Sequence, residues 1–132
     1  MDEILNFLKE NPTYFLATVD ENSNPHVRPF GTITKFEDAL IIQTGRKKDV
    51  YKQLKANPKA AISGMGKHGD WIRIECDLIE DDRDVASQAA LDEYPSLQKM
   101  YAAGDGNCTV FRLENITAAY IDSFTEDRKV LI

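Results

Sequence analysis

Residues 71–78, Trp-Ile-Arg-Ile-Glu-Cys-Asp-Leu, alternate without a break: Ile72, Ile74, Cys76 and Leu78 fall on one side of an extended chain, and Trp71, Arg73, Glu75 and Asp77 on the other. Side chains of a strand point to opposite faces in turn, so this pattern demands a sheet with one face on a core and the other wet or at an interface. Further stretches at 14–19, 26–36, 39–44, 60–63, 108–113 and 116–121 are rich in β-branched and aromatic residues and also read as strands.

Helical signals are fewer. Ile4, Leu5, Phe7 and Leu8 precede Pro12, with Asp2 and Glu3 suited to a first turn. A second helix is expected from about 48 to 56, carrying Val50, Tyr51 and Leu54 and stopped by Asn57-Pro58. A third spans 84–103, interrupted at Pro95, where Ser96 can cap a further piece through Leu97, Met100 and Tyr101. Roughly six strands with few helices predict a mainly β fold, a six-stranded antiparallel barrel with peripheral helices. At 132 residues, 1–132 is expected to be a single domain.

A formal net charge of -6 argues against a general nucleic-acid or anionic-membrane binder. No run approaches the roughly 20 apolar residues of a membrane span, and the N-terminus lacks the positive start of a signal peptide, so a cytoplasmic protein is expected. Cys76 and Cys108 form no Cys-x-x-Cys pair and are expected as buried free thiols; His26 and His68 share no ligand spacing, so no metal is expected. No nucleophile elbow of the Gly-x-Ser-x-Gly kind occurs. Gly64-x-Gly66-x-x-Gly69 matches the dinucleotide glycine pattern, but a strand follows where that motif needs a helix, so it reads as a hairpin turn. Glu80-Asp81-Asp82 reads as a solvated turn.

Against this acidic background, Arg46-Lys47-Lys48 stands between an apolar strand and a helix start. Cations are mildly repelled by the positive pole of a helix, whereas an anion is favoured there. A phosphate docked on the free N–H groups, with these cations and the Thr44 hydroxyl around it, removes the conflict. In His26-Val27-Arg28-Pro29-Phe30-Gly31, Arg, Pro and Gly are poor strand-interior choices; Pro29 removes a ladder donor and Gly31 permits close approach of a planar ligand.

These stretches, with Phe15-Leu16-Ala17-Thr18, Pro25 and Asn57-Pro58-Lys59-Ala60-Ala61-Ile62 in the same order, resemble the FMN-binding split-barrel proteins related to pyridoxamine 5'-phosphate oxidase. The resemblance implies FMN as cofactor. It assigns the isoalloxazine and ribityl chain to Arg28, Pro29, Phe30 and Gly31, and the phosphate to Gln43, Thr44, Arg46, Lys47 and Lys48. It further implies a homodimer with flavin at the interface. Trp71, on the polar face of its strand, is expected to contact the partner subunit there and is counted with the cofactor-binding residues. His26 is the candidate for a proton donor or substrate contact. The C-terminal Trp and Arg-x-His segment with which the oxidases hold the vitamer phosphate is not found, so the implied activity is oxidoreduction of another small molecule. The alternatives within the same fold are a non-catalytic flavin-binding or sensing protein and a haem or deazaflavin binder.

Overall fold

The computed structural model describes residues 1–132. The chain runs α1 (Asp2–Glu10), β1 (Tyr14–Val19), β2 (Pro25–Phe30), β3 (Thr34–Phe36), β4 (Ala39–Gly45), α2 (Asp49–Ala56), β5 (Lys59–Met65), β6 (Asp70–Asp81), α3 (Asp84–Glu93), a 3-10 turn (Pro95–Lys99), β7 (Cys108–Ser123) and β8 (Lys129–Val130). The strands form one antiparallel sheet in the order β2-β1-β5-β6-β7-β4-β3, with β8 on β7.

The expected strand count of six is corrected: the sheet has eight strands, and no pair joins its edges β2 and β3, so the barrel is left open along one seam. The stretch 26–36 is two strands, because residues 31–33 leave the ladder, and β8 is a two-residue addition. The two strands expected at 108–113 and 116–121 are the single 16-residue β7. It stays continuous because Asn115 takes a left-handed conformation (φ 50) that an Asn tolerates, while Cys76 alone on β6 faces residues 115–117 between the Glu75–Ala118 and Asp77–Glu114 pairs. Asn115 Nδ2 donates to Asp77 Oδ2 at 2.9 Å and fixes the kink. Ser96 makes no capping bond; the piece after Pro95 is a short 3-10 turn with Pro at its start.

The alternation at 71–78 is realised as read. Leu16, Ile62, Ile74 and Ala119 lie in one cross-strand row over β1, β5, β6 and β7, all buried. Each such Leu or Ile contributes about 1.5–3 kcal/mol of transfer free energy. Val50 and Leu54 of α2 and Ile4 and Leu8 of α1 pack into the same 17-residue cluster, which also takes Leu40, Ile42 and Phe111 from the far half of the sheet. The sheet is therefore curled around one core. Its outer face carries the rows Pro29, Phe15, Ser63, Arg73, Tyr120 and Val27, Ala17, Ala61, Glu75, Ala118. Phe15 and Val27 there are exposed.

The glycine pattern at 64–69 closes the β5–β6 hairpin: Gly66 N–H donates to Asp70 O at 2.8 Å and Gly69 has φ 74. Cys76 and Cys108 are free and buried.

Candidate site at the sheet seam

Phe30 ends one edge strand and Thr34 begins the other, so four residues of chain span at most about 14 Å between edges that lie at opposite ends of the sheet order. That link holds the curl shut without a ladder. Its bonds are side-chain bonds: Tyr14 OH donates to Thr32 O, Gln43 N–H donates to Thr32 Oγ1 at 3.0 Å, and Tyr94 OH accepts from Ile33 N–H at 3.1 Å while donating to Ile33 O at 3.0 Å. Burial drives the Tyr14 phenol pKa upward, which keeps it a donor.

A groove of about 310 Å³ opens beside this link. Pro29, Phe30, Gly31 and Thr32 form one wall, Gln43, Thr44 and Lys48 the floor and one end, and Tyr94, Ser96 and Leu97 the opposite wall. Lys48 is the only charged residue lining it. Thr44 Oγ1 is buried and has no hydrogen-bond partner. A buried hydroxyl without a partner carries a desolvation penalty of about 1–3 kcal/mol, which a ligand acceptor or donor at this point would relieve.

The chain between β4 and α2 is shaped by Asn107. Its carbonyl accepts from Arg46 N–H at 2.8 Å, its Oδ1 accepts from Lys47 N–H at 3.1 Å, and Lys48 N–H donates to Gly45 O at 3.1 Å. The N–H groups of Asp49 and Val50, in the first turn of α2, make no hydrogen bond. Lys48 is the extended residue that caps this helix, so its side chain, two free N–H groups and Thr44 mark one end of the groove.

The sequence-predicted residues divide. Pro29, Phe30, Gly31, Gln43, Thr44 and Lys48 line the groove together. Arg28 does not: its Nη1 donates to Leu16 O at 3.1 Å and its Nη2 to Gln53 Oε1 at 2.6 Å, an acceptor shared with Thr18. Arg46 turns away to Glu80, with Nε 3.2 Å from Oε2. Lys47 is exposed beside the groove without lining it. Trp71 lies at the start of β6 against Phe124, ring centroids 5.1 Å apart. His26 is in the exposed β1–β2 hairpin, paired at 2.8 Å with Asp20, whose pKa is lowered to about 2 by that bond first and by the bonds it also accepts from the N–H groups of Asn24 and Asn22.

Of the acidic run only Asp82 is exposed beyond the strand; the two carboxylates before it are not in a solvated turn. Glu80 and Asp81 end β6 with side chains only 10% and 2% exposed. Asp81 accepts two bonds from the Arg83 guanidinium, and Arg112 lies 3.6 Å away. The desolvation is met for Asp81 by Arg83, two residues on, with Arg112 of β7, and for Glu80 by cations and hydroxyls of the β4–α2 turn, α2 and β7. Thr32, Tyr94, Ser96, Leu97 and Asn107 were not foreseen. Only the turn-type run Gly104-Asp105-Gly106-Asn107 offered a local signal.

A curled, unclosed antiparallel sheet with a groove at its seam is a split barrel. The chain belongs to the pyridoxamine 5'-phosphate oxidase-related family: the family model described as Pyridoxamine 5'-phosphate oxidase matches residues 1–118. A NimC/NimA family protein from Clostridium acetobutylicum is similar at 38% identity and TM-score 0.88, covering 99% of this chain and 93% of that one. General Stress Protein 26 from Bacillus anthracis shares the fold at 18% identity and TM-score 0.73, covering 98% and 97% of the two chains. An F420 reductase does so at 18% identity and TM-score 0.63, covering 86% and 93%. Among curated proteins none matches significantly. No helix is long and apolar enough to cross a membrane, and no group of three or more His, Cys, Asp or Glu is placed to hold a metal ion.

Proposed function

We propose that the seam groove binds FMN and that the protein is an oxidoreductase acting on a small molecule. The observation that carries this reading is one end of the groove, where Thr44 Oγ1 lacks a partner, Lys48 supplies the only lining charge, and Asp49 and Val50 N–H groups are free. That donor set fits a phosphate monoester. Pro29, Phe30 and Gly31 offer an apolar wall, with no side chain at Gly31, against which a flat ring system can lie. Bound FMN would supply two-electron redox chemistry, and the chain's own residues would hold and orient it. Gln43 Nε2 is engaged with Thr44 O at 2.9 Å, which leaves its carbonyl oxygen as an acceptor for a ring N–H.

The same reading has a homodimer. The outer-face residues Phe15, Ala17, Val27 and Ala61 form an apolar surface across β2, β1 and β5, contiguous with Pro29 at the groove wall. A second copy seated there would bury it and close the groove's open side, and Trp71 is proposed to reach that copy.

The test is mass spectrometry of the small molecule released on denaturing the purified protein, together with its visible spectrum. FMN mass and a flavin spectrum are expected. Haem or deazaflavin absorbance, or retention of nothing with no binding on reconstitution, rejects the reading. Anaerobic NADH or NADPH then separates function: bleaching of the flavin supports a reductase that accepts electrons directly, and none favours a binder or an enzyme served by another reductase.

A further inference from the structure

The Glu80 carboxylate is saturated. Oε2 accepts from Thr109 Oγ1 at 2.6 Å and Arg46 Nε at 3.2 Å, and Oε1 accepts from Tyr51 OH at 3.0 Å and Lys55 Nζ at 3.1 Å. The four donors come from three places: the β4–α2 turn, both turns of α2, and β7. Glu80 itself is on β6. A carboxylate offers about four lone-pair sites, so none is left for solvent or ligand.

This arrangement governs a helix that cannot hold itself. At eight residues α2 is far below the roughly 12–15 at which isolated helices become even marginal in water, and its apolar contribution is Val50 and Leu54. Tyr51 adds an edge contact to Phe111 at 5.8 Å between ring centroids. Gln53 binds Thr18 and Arg28 on the other flank. Of these ties, only those to Glu80 join the β4–α2 turn and both turns of the helix to one point on the sheet. The first turn is also where the free Asp49 and Val50 N–H groups and Lys48 mark the groove end.

We propose that Glu80, which does not line the groove, is the positioning residue that makes the site selective for a phosphorylated flavin over the same flavin without its phosphate. It fixes the first turn of α2, and with it the phosphate-facing donors, relative to the ring-facing wall at Pro29–Gly31. This rests on the FMN reading above. Preorganised donors bind more tightly because the ordering of the turn is done by the fold, not by the ligand.

An opposite role is physically conceivable and has the opposite sign. Glu80 neutralises Arg46 and Lys55, so removing its charge raises the positive potential near the helix start, and on that ground alone phosphate binding would strengthen. Glu80→Gln separates the two. One oxygen becomes an NH2 group that must face Arg46 or Lys55, neither of which can accept, so at least one side of the anchor is lost. Tyr51→Phe removes one donor to Glu80 with no change of charge.

The experiment titrates apo-protein with FMN and with riboflavin, following quenching of flavin fluorescence, for wild type, Glu80→Gln, Tyr51→Phe and the double variant. Glu80→Gln is expected to lower the FMN-over-riboflavin preference about tenfold, equivalent to about 1.4 kcal/mol, with riboflavin affinity unchanged. Tyr51→Phe should act in the same direction by less, and the double variant should fall short of the product of the two. A preference that rises in Glu80→Gln, or stays at the wild-type value in both single variants, overturns the assignment. Equal weakening of both flavins overturns it too, since that is general loss of fold. Should Glu80→Gln fail to fold, Tyr51→Phe decides alone. Wild-type protein that prefers FMN while the variants keep that preference removes only the role of Glu80; wild-type protein that binds neither flavin removes the FMN reading and this one with it.

Discussion

Arg46 and Glu80 form an ion pair, Nε to Oε2 at 3.2 Å, which turns the first of three consecutive cations into the fold while Lys48 lines the groove. Neighbours in sequence are thus given different tasks. Lys48→Ala should weaken FMN by about tenfold to a hundredfold, the loss of one charge-assisted bond of about 1.5–3 kcal/mol. Arg46→Met leaves Glu80 three of its donors and should stay within about threefold of wild type. Equilibrium dialysis measures both; the reverse ranking would place the phosphate on the Arg46 side of the turn.

Thr44 makes a prediction with two signs. Its hydroxyl has no partner, so Thr44→Val removes an uncompensated polar group from the interior of the ligand-free protein. Apo-protein stability should rise by about 1 kcal/mol, a shift of about 3–5 °C in Tm, while FMN binding weakens by about fivefold. Thermal melts with and without FMN test this. A lower apo Tm would mean that the hydroxyl is already satisfied.

The acid limb of stability should depend on Glu80. Burial raises its pKa, but the bonds from Thr109, Lys55, Tyr51 and Arg46 outweigh that and hold it below the usual glutamate value. With a folded value below the unfolded one, its contribution is complete above the usual glutamate range and is lost as pH falls through the folded value. Wild-type Tm should therefore decline more steeply than that of Glu80→Gln between about pH 5 and pH 3. Parallel declines would show that the anchor does not titrate with folding.

Ala17 stands in the outer row with Val27, Ala61 and Glu75. Ala17→Glu introduces a charge at the centre of the proposed dimer face, where it would be desolvated and unpaired. Sedimentation should find wild-type dimer and a monomeric variant with reduced flavin content. A variant that stays dimeric would move the interface to another surface.

The sheet was readable wherever a strand's own pattern decides its burial. Residues 71–78 alternate and are buried as read, and α2 stops where Asn57-Pro58 requires. The seam was less readable. Residues 26–36 look continuous because nothing local tells that 31–33 must pass from one sheet edge to the other; Tyr94, 61 residues from Ile33, is what holds them there. The basic trio announced a need for an anion, but which of three adjacent side chains faces the groove is set by Asn107, 60 residues from Lys47. Glu80 looked like turn because its four donors, at 46, 51, 55 and 109, are scattered along the chain.

The long strand β7 has a temporal consequence. It pairs with β4 through Gly45–Cys108 to Ile41–Arg112 and with β6 along nearly its whole length, so strands made early in synthesis wait for one made late. Pairings so distant in sequence must overcome loop-closure entropy before they are stabilised, which slows folding. Until residues 108–123 emerge from the ribosome, β4 has only the three-residue β3 beside it, and the apolar run Leu40-Ile41-Ile42 stays uncovered on that flank. Pulse-labelled hydrogen exchange during refolding should find Ile41–Gly45 protected no earlier than Cys108–Arg112. For this chain, the window of vulnerability to aggregation closes only with its last long strand.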